Sequence, residues 1–201
     1  MPHRTDIRNW FKLLPNKLTL ARIAAIPVLV ALYPFNVTFL NVFCAIVFGA
    51  AAATDFFDGY LARKHGTTSS LGATLDPIAD KLLVTAALIL LTNAARLPAF
   101  MVAFLLCRDI AVNGLRLMAA EQGLTVISVN QFGKVKTAVL DVAIFCLLID
   151  QGSLHVVGIL AIWVALGLSY YSAYLYWDTF WKSAKPLPTD SPDVKQPTAH
   201  P

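Results

Sequence analysis

Charge is scarce in this chain: 14% of its 201 residues are Asp, Glu, Lys or Arg, against about 25% in an ordinary soluble domain. With 57% hydrophobic residues and a mean hydropathy of +0.63, this argues against a water-soluble domain and predicts an all-α integral membrane protein. Cysteine is sparse as well. Cys44, Cys107 and Cys146 are odd in number, lie in apolar stretches and have no ligand-like spacing, which excludes a disulfide framework and a redox pair and leaves three buried packing residues as the expectation. The four histidines, His3, His65, His155 and His200, are scattered; no zinc site is expected from them, and His65 is expected in a solvated turn. The positive balance, +4 net with a pI near 9.0, comes without a basic run interleaved with aromatics, so no nucleic-acid partner is expected. Basic residues gather at segment ends instead, which suits anionic lipid and phosphorylated substrates.

What is abundant is apolar sequence in span-sized pieces. A hydrocarbon core needs about 20 residues of helix, and six spans can be drawn, approximately Leu18 to Tyr33, Phe39 to Leu61, Leu71 to Leu91, Pro98 to Met118, Ser128 to Ile149 and Leu154 to Tyr176. Between them lie breakers: Tyr33-Pro34-Phe35-Asn36, His65-Gly66, Arg96-Leu97-Pro98, Glu121-Gln122-Gly123 and Asp150-Gln151-Gly152. Residues 17–182 are expected to form one six-transmembrane-helix bundle. Residues 1–16 carry no small-residue cleavage site and are expected to form a short amphipathic helix, with Trp10 and Phe11 at the interface and Arg8 and Lys12 toward headgroups. The Pro-rich polar tail, 183–201, is expected to be disordered. Arg4, Arg8, Lys12 and Lys17 precede the first span, Arg63 and Lys64 lie in the second connection, and Lys182 and Lys185 follow the last. The first, third and fifth connections offer Arg96 alone, so the positive-inside rule puts both termini on the cytoplasmic side. The seven aromatics Trp163, Tyr170, Tyr171, Tyr174, Tyr176, Trp177 and Trp181 are expected to serve packing and an interfacial belt.

Within the scarce charge, one window is crowded. Thr54 to Lys81 holds Asp55, Asp58, Asp76 and Asp80. Ionised carboxylates at bilayer depth cost several kcal/mol unless paired, hydrated or metal-bound. Asp55 and Asp58 are three apart and Asp76 and Asp80 four apart, so on helices each pair projects from one face toward a common ligand. Two readings stand on spacing alone. The aspartates pair with Arg63, Lys64 and Lys81 as helix-end ion pairs, or they share hard cations; four carboxylates exceed what the local cations need. Oxygen-only donors point to Mg2+ or Mn2+, and two such ions close together are a common device of phosphoryl chemistry.

The complete pattern is D-x2-D-G-x2-A-R-x8-G-x3-D-x3-D, filled by Asp55, Asp58, Gly59, Ala62, Arg63, Gly72, Asp76 and Asp80. On these residues the chain resembles the CDP-alcohol phosphatidyltransferases, with every fixed position of their signature occupied. Gly59 and Ala62 share a helical face with the first aspartates, where small side chains let a nucleotide pyrophosphate approach. Arg63 offers a donor fork to a phosphate, Gly72 keeps the facing wall open, and Pro77 removes a helical hydrogen bond beside Asp76. The resemblance implies that Asp55, Asp58 and Asp76 hold two divalent cations and CDP-diacylglycerol, that Asp80 also helps to bind metal and acts as base, and that the protein is a homodimer in a bacterial inner membrane with its active site cytoplasmic.

Pro15 to Ile23, Cys107 to Gly123 and Asn130 to Thr137 are similar to the corresponding stretches of those bacterial members whose acceptor is a glycerol phosphate. Arg108, Arg116, Lys134 and Lys136 sit in or near apolar spans with Asp109 and Asp141 as the nearby carboxylates in sequence. An external anion is an economical partner. These four, with Thr137, are expected to hold the phosphate of sn-glycerol 3-phosphate, the alternative being snorkelling to headgroups. Arg22 is expected either to contact the nucleotide or to neutralise carboxylates. Asp109 stands where the family more often has glutamate, which leaves the pairing of Arg108 open. Inositol phosphate and phosphatidylglycerol are the rival acceptors. An ion-coupled transporter is the rival of another class, and it lacks the internal repeat such proteins usually show.

Overall fold

At Tyr33–Asn36, Arg96–Pro98 and Asp150–Gly152 the breakers separate helices as expected. In a computed structural model, which describes residues 14–65, 70–121 and 131–184, six α-helices follow the six apolar stretches: α1 Leu14–Leu32, α2 Thr38–His65, α3 Ser70–Asn93, α4 Ala99–Glu121, α5 Gln131–Ile149 and α6 Ser153–Ala184, with a short 3₁₀ turn at Tyr33–Phe35. No strand occurs among the described residues. Side chains are described except at 14–18, 55–65, 70–74, 76, 131–134 and 183–184. The expected amphipathic lead-in falls mostly outside the described residues, and the Pro-rich tail almost wholly so. His65 is the last described residue of α2; the turn expected after it lies outside the described residues. Pro77 lies inside α3.

Packing is governed by the fully buried Leu29 of α1, Phe48 of α2, Leu83, Leu88 and Leu91 of α3, Ile144, Leu147 and Leu148 of α5, and Ile162 of α6. α5 packs most extensively on α6; α1 lies against both α2 and α3, α2 against α5, and α4 against α6. Small residues set two of these approaches. A Cβ at Gly49 would stand 3.1 Å from the Phe145 ring, and one at Gly158 would stand 2.6 Å from Leu147 Cγ, so the α2–α5 and α5–α6 crossings are tight because these positions lack side chains. Cys44 and Cys146 are buried as expected, but Cys107 is exposed on α4. An apolar stretch of sequence does not say which helix face its neighbours cover.

The outer surface is apolar. Phe39, Ile110 and Leu117 are 76%, 71% and 67% exposed, which water would disfavour and lipid accepts. Among the described residues one stretch, Ser153–Lys182, is long and apolar enough to cross a membrane on composition alone, with hydropathy 1.8; Thr19–Phe35 and Thr38–Thr54 are apolar but shorter. The remaining helices carry charges along part of their length, among them Asp80 and Lys81 in α3, Arg108, Asp109 and Arg116 in α4, and Lys136 and Asp141 in α5.

Three connections meet at one end of the bundle around Arg96, which is buried. Its Nη1 donates to the Tyr33 hydroxyl at 2.6 Å and to the Leu148 carbonyl at 2.8 Å, its Nη2 donates to Asn36 Oδ1 at 2.6 Å, and its Nε pairs with Asp150 Oδ2 at 2.9 Å. Arg96 reaches this position through a helix cap: the Ala95 amide donates to Thr92 O and the Arg96 amide to Leu91 O, with Ala95 in the left-handed region at φ 56°. That pattern is the usual one for a helix C-terminus, although glycine commonly fills the left-handed position. Because Arg96 gathers the first, third and fifth connections, the starts of α3 and α5 lie toward the opposite end of the bundle.

Candidate active site

At that opposite end α3, α4, α5 and α6 enclose a cavity of about 420 Å³. Helical periodicity explains its lining. Arg108, Val112 and Arg116 recur every four residues along α4, with Asp109 and Asn113 beside them; Asp80, Val84 and Leu88 do the same on α3, followed by Lys81 and Thr85; Lys136, Thr137 and Leu140 come from α5 and Ser172 from α6. The cavity thus gathers Asp80 with Arg108, Arg116, Lys136 and Thr137, residues that sequence reasoning singled out from three separate stretches. It adds Lys81, Thr85, Asp109, Asn113 and Ser172, which were not assigned to a site.

The charges are arranged rather than merely present. Asp109 Oδ1 accepts from Lys136 Nζ at 2.7 Å and from Arg108 Nη1 at 2.9 Å, so one oxygen joins a cation of α4 to a cation of α5. Arg108 is fixed again from the far side, where its Nε donates to the Ser169 carbonyl of α6 at 2.7 Å. Aspartate in place of a longer carboxylate therefore reaches both partners. Arg108 and Lys136 are largely buried, with side chains 8% and 9% exposed, so these are short charge-assisted contacts in a poorly hydrated setting. Arg116 has a different neighbour. Its Nη2 donates to the Tyr176 hydroxyl at 2.8 Å, and its Cζ lies 4.8 Å from the centre of the Tyr176 ring. Sequence reasoning gave Tyr176 no role beyond packing, and no spacing signal in α6 could have paired it with a residue sixty positions away.

Lys81, Arg108, Arg116 and Lys136 set four cations against the two carboxylates Asp80 and Asp109, a formal excess of two positive charges. A small anion is the natural complement of such a charge balance. Asp80, on α3, contributes a carboxylate to the same cavity.

Asp55, Asp58, Gly59, Ala62 and Arg63 occupy the last turns of α2, and Gly72 and Asp76 the first turns of α3. The helical backbone that their spacing required is therefore present. Their side chains, and that of Lys134 in α5, lie outside the described residues. Arg22 is fully buried in α1 and does not line the cavity.

A family model for CDP-alcohol phosphatidyltransferase matches residues 12–171. The chain is 39% identical to CDP-diacylglycerol–glycerol-3-phosphate 3-phosphatidyltransferase of Bacillus subtilis, over 86% of this chain and 97% of that protein. It is likewise 39% identical to the protein of that name in Rickettsia bellii, over 81% and 92%. It is 36% identical to CDP-diacylglycerol–glycerol-3-phosphate 3-phosphatidyltransferase 2 of Arabidopsis thaliana, over 90% and 85%. With the signature on helical backbone, a cation-rich cavity that includes its last aspartate and this match across most of its length, the chain belongs to the CDP-alcohol phosphatidyltransferase family.

Proposed function

We propose that the protein is a phosphatidylglycerophosphate synthase, transferring the phosphatidyl group of CDP-diacylglycerol to sn-glycerol 3-phosphate and releasing CMP. One observation carries this reading: Asp80 and the cations Arg108, Arg116 and Lys136 line a single cavity, so a proton acceptor and a phosphate-binding set face the same small volume. The relatives named for this reaction support the same acceptor.

In this reading Arg108, Arg116, Lys136 and Thr137, with Lys134, hold the acceptor's phosphate, and the held phosphate aims the free hydroxyl. Asp80 takes the proton of that hydroxyl as its oxygen attacks the lipid-side phosphorus; a new P–O bond forms, and the bond to CMP breaks. Gly59, Ala62, Arg63 and Gly72 accommodate the nucleotide and pyrophosphate. The donor set fits a divalent cation, since Asp55, Asp58, Asp76 and Asp80 are all carboxylates on helical backbone and hard cations prefer such oxygens. Those four residues would hold two ions, Mg2+ or Mn2+, which supply charge neutralisation at the pyrophosphate.

The six helices span the membrane as one bundle, residues 17–182, with the amphipathic lead-in, both termini and the active site on the cytoplasmic face of a bacterial inner membrane. The protein is a homodimer there. Support comes from the apolar outer surface and from the gathering at one end of the odd connections, which hold Arg96 as their lone basic residue.

A CMP-release assay on purified protein tests the function. With CDP-diacylglycerol and Mg2+ or Mn2+, CMP should appear with sn-glycerol 3-phosphate and not with glycerol, inositol phosphate or phosphatidylglycerol. Release with inositol phosphate or phosphatidylglycerol instead contradicts the acceptor, and no release with any alcohol contradicts the enzyme.

A further inference from the structure

Arg116 is held differently from the other cations of the cavity. Arg108 and Lys136 share Asp109, whereas among the described residues Arg116 makes no ion pair, and its partner is neutral. The Tyr176 hydroxyl accepts a hydrogen bond from Nη2 at 2.8 Å, and the Tyr176 ring lies 4.8 Å from Cζ. Each contact attracts a guanidinium, the first as a hydrogen bond to a charged donor and the second through the ring quadrupole. Together they restrain a side chain that would otherwise sample many rotamers. Neither cancels its charge. A carboxylate at Tyr176 would orient Arg116 equally well but would form an ion pair and leave the cavity one positive charge poorer. A phenol orients the cation and leaves its whole charge to an incoming anion. Tyr176 also lies beyond residues 12–171, the stretch matched by the family model.

We propose that Tyr176 is a positioning residue for the acceptor: it holds the Arg116 guanidinium against the cavity so that its remaining donors meet the acceptor's phosphate. The proposal deepens the acceptor-site reading of the cavity and rests on it. Tyr176 does not touch the substrate; its effect passes through Arg116.

Two variants and a cycle test this. Tyr176→Phe removes the hydroxyl and keeps the ring; Tyr176→Leu removes both. The KM for sn-glycerol 3-phosphate should rise about three- to tenfold in Tyr176→Phe, as expected for loss of roughly one charge-assisted hydrogen bond, and further in Tyr176→Leu. The KM for CDP-diacylglycerol and kcat should stay unchanged. In an Arg116→Gln background, Tyr176→Phe should add nothing, because contacting residues that act as one unit are not additive. An unchanged KM for glycerol phosphate in Tyr176→Phe, or an equal rise with and without Arg116, overturns the role of Tyr176. If Tyr176→Leu fails to fold, the Phe variant and the cycle still decide. Wild-type protein that releases no CMP with glycerol 3-phosphate overturns the acceptor reading itself, and that outcome is distinct from wild-type turnover with indifferent variants.

Discussion

At the scale of the residue, the site depends on how few charges are given how many duties. Asp80 lines the cavity and is assigned the proton as well as a share of the cations; the three earlier aspartates of the signature are assigned the cations and the donor lipid. Replacing Asp80 with Asn keeps its size and removes its basicity. Turnover should fall by about 10² to 10⁴, the usual worth of a general base, while labelled CDP-diacylglycerol still binds in the presence of Mg2+. Retained turnover would remove the base assignment. The aspartates, Arg108, Arg116 and Lys136 were legible in the sequence because a charge in an apolar span has a cost that calls for a reason. Asp109 was legible as a nearby carboxylate and as a departure from the family's usual glutamate, not as a bridge. Its work, bridging Lys136 and Arg108 through one oxygen, depends on the approach of α4 to α5, which no local pattern encodes. The Tyr176–Arg116 contact was not legible for the same reason: an aromatic near a span end has packing and interfacial anchoring as its ordinary explanation, and its partner lies sixty residues away.

At the scale of the element, the number and order of the helices were legible, though not every end: α6 continues from the expected Tyr176 to Ala184. Six apolar stretches bounded by Gly, Pro and Asn became six helices, because length and turn chemistry act locally. Pairing was not legible. The α5–α6 crossing depends on Gly158, whose missing side chain leaves room for Leu147, itself fully buried. Gly158→Val should lower stability by about 1–3 kcal/mol through overpacking, seen as an earlier loss of folded protein on heating in detergent. Because this contact sits beside the 150–152 connection, far along α5 from Lys136, the KM for glycerol phosphate should not move. A variant as stable as the parent would mean that the two helices separate without cost at this crossing.

At the scale of the whole molecule the two ends do different work. One end is closed by Arg96, whose guanidinium ties Tyr33, Asn36, Asp150 and the end of α5 together; the cationic cavity lies between α3, α4, α5 and α6, apart from that hub. Sequence showed Arg96 only as the lone basic residue of the odd connections, a clue to orientation and not to its position as the hub where they meet. Arg96→Leu leaves Asp150 without its guanidinium and should cost about 3 kcal/mol of stability, read as a lower thermal midpoint, with the KM for both substrates unchanged in the protein that remains folded. A changed KM at unchanged stability would show that the closed end communicates with the site.

The central claim concerns the cavity, that its cations receive the acceptor's phosphate. Lys136 is the direct probe, since it lines the cavity, is buried and is joined to Arg108 through Asp109. The decisive measurement is steady-state CMP release by Lys136→Gln with each substrate varied in turn. The KM for sn-glycerol 3-phosphate should rise about tenfold or more, as for loss of a charge-assisted contact, while the KM for CDP-diacylglycerol stays at the parent value; an unchanged KM for glycerol phosphate would contradict the account.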